Sequence, residues 1–142
     1  MPDLKLIALD AEDLEVISAY TQDAIIRVAD MGFAKSDNRF AAIMNRYVWE
    51  KGDSKTKGHR RRSAIHFDKV LDVNSKGINL SARDGVLDLL SISFAPTDAP
   101  KGTITLSFAG GGTIELLVEC LELRLSDLGA SWAAKSTPSH AD

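Results

Sequence analysis

Between Ile25 and Val118 apolar side chains return at every second position in short runs, and a turn-forming cluster interrupts almost every run. A pleated strand with one buried face requires a period of two; an amphipathic helix repeats its apolar positions every three or four residues instead. The chain is therefore expected to be mainly β, in the α+β class. Segment 25–33 places Ile26 and Val28 together, 40–50 places Ile43, Tyr47 and Trp49 together, and 64–73 places Ile65, Phe67, Leu71 and Val73 together. These faces are expected to point inward. Ile78 and Leu80 read as a short strand between the turn signals 74–77 and Asp84-Gly85, and Leu90, Ile92 and Phe94 line the next one. Ile104, Leu106 and Phe108 then face Ile114, Leu116, Val118 and Cys120 across Gly110 to Gly112, whose freedom at positive φ suits a tight hairpin.

Ahead of this β region the period differs. Residues 4–9 alternate as a short strand, and Asp10 then caps a helix, with Glu12 and Asp13 at the positive end of its dipole and Leu9 placed to staple onto Leu14. Leu14, Ile17 and Tyr20 or Thr21 give the helix its apolar stripe. Past Cys120 the alternation slips by one, so that Leu121, Leu123 and Leu125 share a face; a β-bulge accounts for the slip. A short helix through Leu117, Leu121, Leu125 and Leu128, stopped by Gly129, competes with this reading, and the strand is favoured. Seven to eight antiparallel strands with one N-terminal helix close into a barrel or pack as a sandwich, because either solution removes exposed edges.

A chain of 142 residues is the size of one domain, taken as 1–129, with a tail at 130–142 that is expected to be mobile unless Trp132 anchors it. No apolar run approaches the roughly 20 residues needed to cross a bilayer, and no basic and apolar leader opens the chain. A single cysteine excludes an intramolecular disulfide, so a cytoplasmic location without membrane attachment is expected. The net charge of −3 gives no overall attraction to nucleic acid.

Segments 62–71 (Arg-Ser-Ala-Ile-His-Phe-Asp-Lys-Val-Leu) and 108–120 (Phe-Ala-Gly-Gly-Gly-Thr-Ile-Glu-Leu-Leu-Val-Glu-Cys), with Leu-Ser-Asp-Leu-Gly at 125–129, resemble a family of small proteobacterial proteins defined as a domain of unknown function. The resemblance spans nearly the whole chain and implies a complete domain. It carries no catalytic residue, cofactor or partner with it.

Three constellations hold candidate chemistry. Segment 51–62 bears Lys51, Lys55, Lys57, Arg60, Arg61 and Arg62 against Asp53, a local charge of about +5. With Trp49 and His66 at its base, such a loop can hold phosphates while a ring stacks on a base. The plainer reading is a solvated hairpin tip. His66 and Asp68 lie on one face of a strand, and Arg46 is expected opposite Asp68 if odd residues pair with odd and even with even. A cross-strand polar pair explains them more simply than a general base or ligand set, both of which need a third group. Cys120 falls on the apolar face as a small hydrophobe, and Asp88, Glu115, Glu119 and Glu122 solvate a sheet face. No metal or cofactor motif occurs. The residues thus point to a non-catalytic binding or interaction module with a protein partner, ahead of an enzyme built around His66, Asp68 and Arg46. A weak RNA or nucleotide binder using the basic loop ranks third.

Overall fold

The computed structural model describes residues 3–48 and 59–128. In chain order these form β1 (Lys5–Ala8), α1 (Ala11–Thr21), β2 (Ala24–Ala34), β3 (Arg39–Val48), β4 (His59–Phe67), β5 (Val70–Lys76), β6 (Val86–Asp98), β7 (Lys101–Phe108), β8 (Thr113–Val118) and β9 (Leu123–Asp127), with a 3-10 turn at Lys35–Asp37. All nine strands lie in one antiparallel sheet of order β1-β9-β4-β3-β2-β6-β7-β8-β5. The expected barrel or sandwich of seven to eight strands is thus corrected to an open sheet of nine, with β1 and β5 as its edges.

Two corners explain the extra strands. The segment read as one strand, 64–73, breaks at Asp68-Lys69, where Lys69 takes φ 61, and continues as β5. After β8 the chain does not bulge within the same ladder. It crosses from beside β7 to the slot between β1 and β4, where it forms β9. The corners lie side by side: the Asp68 amide donates to the Glu122 carbonyl and the Glu119 amide to the Lys69 carbonyl, each at 2.9 Å. Leu121 is buried in the crossing itself, and Leu123 and Leu125 are buried in β9, a strand and not the competing helix.

The hairpin across the glycines forms as expected. Ile104 pairs with Leu116 and Leu106 with Ile114, and these four are all but sealed from solvent, as are Phe108 and Val118. Gly110 and Gly111 take φ 91 and 96, which side chains of L-residues rarely adopt. Cys120 lies just beyond β8 and is only half-buried.

Several faces depart from the expected phase. On β3 the buried residues are Phe40, Ala42, Met44 and Arg46, leaving Ile43 and Tyr47 half-buried on the other side; Trp49 lies outside the described residues. Val70 is fully buried where Leu71 was expected, and Val73 packs against the core only in part. In β6 the pairing with β7 shifts between Leu89 and Ser91, which turns Leu89 inward and leaves Leu90 exposed. Residues 77–85 make turns instead of a strand, so Ile78 packs against the core from a turn and Leu80 is exposed.

The helix begins as the sequence dictates. Asp10 is extended, and its Oδ1 accepts from the Asp13 amide at 2.8 Å, satisfying one of the first-turn donors that no helical carbonyl can reach. Leu14, Ile17 and Thr21 are buried against β6, β1 and β3, whereas Leu9 and Tyr20 stay exposed, so no staple forms. Thr21 is tolerated inside because its hydroxyl donates to the Ile17 carbonyl at 2.9 Å. Replacing Asp10 by alanine should cost about 0.5–2 kcal/mol and raise amide exchange in the first turn. Unchanged exchange there would show that the cap does not hold the helix start.

Candidate functional site

The alternation of β3, β4 and β9 puts four polar side chains on the inner face of the sheet. Arg46 and Arg61 are direct cross-strand partners, and Ser63 is opposite Asp127. Two guanidiniums facing each other repel, so the arrangement needs an anion between them. Asp127 supplies it: Arg46 Nη2 lies 3.0 Å from Oδ2 and 3.1 Å from Oδ1, and Arg61 Nε is 3.8 Å from Oδ2. The Ser63 hydroxyl donates to Asp127 at 2.6 Å and the Leu4 amide donates to it at 2.9 Å. Arg61 also reaches Asp3 at 2.6 Å, and the Arg46 guanidinium lies 5.7 Å from the centre of the Tyr20 ring. Burial alone would push the Asp127 carboxyl up, but the Ser63 hydroxyl, the Leu4 amide and Arg46 together hold it below the usual carboxylate range. A cavity of about 280 Å³ lies beside Arg46, bordered by Tyr20 and Tyr47. Its guanidinium is already neutralised, so the cavity has no spare charge from it.

The second constellation sits on the opposite side of the sheet, at the β4–β5 corner. Asp68 accepts from Arg39 Nε at 2.8 Å and from Arg124 Nη1 at 3.2 Å, and Arg124 also lies 3.5 Å from Glu122. His66 Nε2 is 3.7 Å from Asp68, too far for a hydrogen bond. Burial, then Arg39 and Arg124, lower the His66 pKa against the opposing pull of Asp68 and Glu122, so the ring is neutral at pH 7. The neutral imidazole is the form that can accept a proton, and here the Asp68 carboxylate does not orient it through a hydrogen bond.

These positions correct the expected pairing. β3 and β4 pair odd with even residues, which sets Arg46 opposite Arg61 and leaves Asp68 beyond the end of β4, joined to Arg39 and Arg124. Arg60, Arg61 and Arg62 belong to β4 and not to a loop tip. Arg61 is buried, and Arg60 lies 5.2 Å over the Tyr47 ring and donates to the carbonyls of Asp23 and Asn45 at 2.8 and 3.0 Å. Arg62, on the outer face, borders a small polar cleft with Asn45, Arg27 and Asp30. Lys51, Lys55 and Lys57 fall outside the described residues. Among the acids expected to solvate a face, Asp88 instead sits against Asp23, and burial with that neighbour raises its pKa. The described residues hold no group of three His, Cys, Asp or Glu placed to bind a metal ion.

Asp127, Ser63, Asp3, Arg39 and Arg124 escaped the sequence reading. One signal was available: Asp127 continues the apolar phase of Leu121, Leu123 and Leu125, and a charged residue in a buried phase calls for a buried counter-ion. The burial of Arg61 also changes what the basic segment should do when mutated. Changing Arg61 to serine should cost about 1–3 kcal/mol, and changing Arg60, Arg61 and Arg62 together at least as much, because Asp3 loses a hydrogen-bond donor and Asp127 a neighbouring cation. Urea denaturation of the two variants checks this, and equal stability to the native protein would contradict the buried placement.

The fold and its ionic interior define a class: the described residues form one α-helix and an open nine-stranded antiparallel sheet, pinned internally by an arginine–aspartate network. The chain belongs to the family described as "Protein of unknown function (DUF2948)", whose model matches residues 4–140. Comparison with curated proteins returns no match. No described helix is long and apolar enough to cross a membrane.

Proposed function

We propose that the chain is a non-catalytic interaction module that takes a protein partner. The observation that carries this reading is the separation of its best polar residues. Arg46 faces the inside of the sheet, whereas His66 lies on the outside and about 16 Å further along the ladder, at roughly 3.3 Å per residue. They cannot act on one substrate. Asp68 and Asp127 are each saturated by two arginines, so neither offers a free carboxylate for acid–base work.

What favours a protein partner is the open edge. Among the described residues β1 pairs with β9 alone, so its other side presents backbone groups to which a further strand can add. Exposed Ile7 lies on it and exposed Leu9 just beyond it, giving an incoming strand apolar contacts.

The test is affinity capture from native extract with the wild type and with Ile7→Asp, an exposed position whose change should leave stability within about 0.5 kcal/mol. A stoichiometric protein partner lost in Ile7→Asp supports the reading. Turnover of a metabolite that disappears in His66→Gln would overturn it in favour of an enzyme.

A further inference from the structure

Where β2 leaves β3, between Ile26 and Met31, four residues of β2 oppose only Ile43. The freed β2 backbone finds other partners: the Val28 amide donates to the Gly85 carbonyl and the Ala29 amide to the Arg83 carbonyl, both at 2.9 Å. This stitches the turn at 83–85 to the bulge and holds Arg83 at the rim of a cavity of about 140 Å³. Phe33, Phe40, Val73 and Ile114 wall the cavity, and Leu80 stands at its mouth. Among the described lining residues only Ser75 and Arg83 bring polar side chains.

The guanidinium at this mouth is less committed than the ion-paired arginines of the sheet. Arg39, Arg46, Arg61 and Arg124 each have a carboxylate partner. Arg83 has one described hydrogen bond, a long 3.5 Å contact to the Ala29 carbonyl. Lys35 sits 5.8 Å over the ring of Phe33, so a second cation flanks the same wall. An apolar cavity with an uncommitted guanidinium at its rim is complementary to a molecule with an apolar body and one negative end.

We propose that this cleft binds a small aromatic carboxylate, with the ring between Phe33, Phe40 and Ile114 and the carboxylate on Arg83 and Ser75. Size selects the body: an apolar cavity of about 150 Å³ accommodates a single benzene ring. The aromatic walls favour a ring through edge-to-face contact. The guanidinium selects the carboxylate over a neutral group of equal shape. This inference is independent of the module reading, since the cleft and the β1 edge are separate places with separate variants.

The test uses the full chain and three probes, benzoate, benzamide and acetate, followed by amide NMR titration. Benzoate should bind saturably with a dissociation constant on the order of 1 mM, shifting amides of Phe33, Phe40, Val73 and Arg83. Benzamide should bind about tenfold more weakly, and acetate should leave the cleft amides unmoved. Arg83→Gln, at an exposed side chain, should remove the tenfold preference while benzamide binding and the rest of the spectrum stay as in the wild type. Equal affinity for benzoate and benzamide in the wild type, shifts confined to other surfaces, or no saturation by about 10 mM benzoate overturns the assignment.

Discussion

Replacing Arg46 by alanine should lower the free energy of unfolding by about 3–5 kcal/mol, the loss seen when one partner of a buried ion pair is removed and the other is left behind. The stranded group is Asp127, whose side chain is 1% exposed and which keeps only Ser63, the Leu4 amide and the more distant Arg61. A domain of this size is stable by only about 5–15 kcal/mol, so the variant should sit close to its unfolding threshold at 37 °C. Urea denaturation measures the loss directly. A deficit under about 1 kcal/mol would mean that water or Arg61 compensates fully and that the network is not structural. The double variant Arg46→Met with Asp127→Leu should recover much of the deficit, because neither charge then remains to be desolvated.

Acidity supplies an independent reading of the same pair. The folded protein holds the Asp127 carboxyl below its usual value of 3.8. A depressed carboxylate contributes stability that is fully present above the unfolded value, and that contribution is lost as pH falls through the lower folded value. Without Arg46, burial, which raises the pKa, meets less opposition, so the variant has less of this stability to lose. The gap between wild type and Arg46→Ala should therefore be widest at neutral pH and narrow below about pH 4. A gap independent of pH would show that Arg46 acts through packing alone.

What was legible in the sequence follows the range of the forces involved. The Asp10 cap and the hairpin at Gly110 and Gly111 depend on neighbours within a few residues, and both form as read. The phase of β3 departs from the expectation because both of its faces carry apolar residues, Ile43 and Tyr47 on one and Phe40, Ala42 and Met44 on the other, while the deciding partner of Arg46 lies 81 positions away at Asp127. No local pattern can report that pairing. The barrel expectation failed for a related reason. Turns at Asp68-Lys69 and at Glu119 to Glu122 look alike in sequence to bulges, and only their mutual hydrogen bonds send β9 to the far side of the sheet. The candidate site suffered the same limit, since His66 and Asp68 were found together but Arg39 and Arg124, which occupy Asp68, come from distant strands.

Leu116→Ala should cost about 2–5 kcal/mol, because a leucine with no exposed surface loses its transfer free energy and leaves a cavity that its neighbours fill only in part. Its cross-strand partners are Val73 on β5 and Ile104 on β7, and Ile104 is fully buried, so the walls of the cavity are held by two ladders at once. Collapse into the space would require both strands to move. Leu117, the next residue, points to the other side of the sheet and is 42% exposed, so the same substitution there removes little buried surface and should cost under about 1 kcal/mol. The pair of variants tests the register and the burial together. A slip of one residue in β8 would exchange the two faces, and with them the two results. Comparable losses at both positions, or a loss below about 0.5 kcal/mol at Leu116, would place the hairpin's apolar face on the wrong side of the sheet.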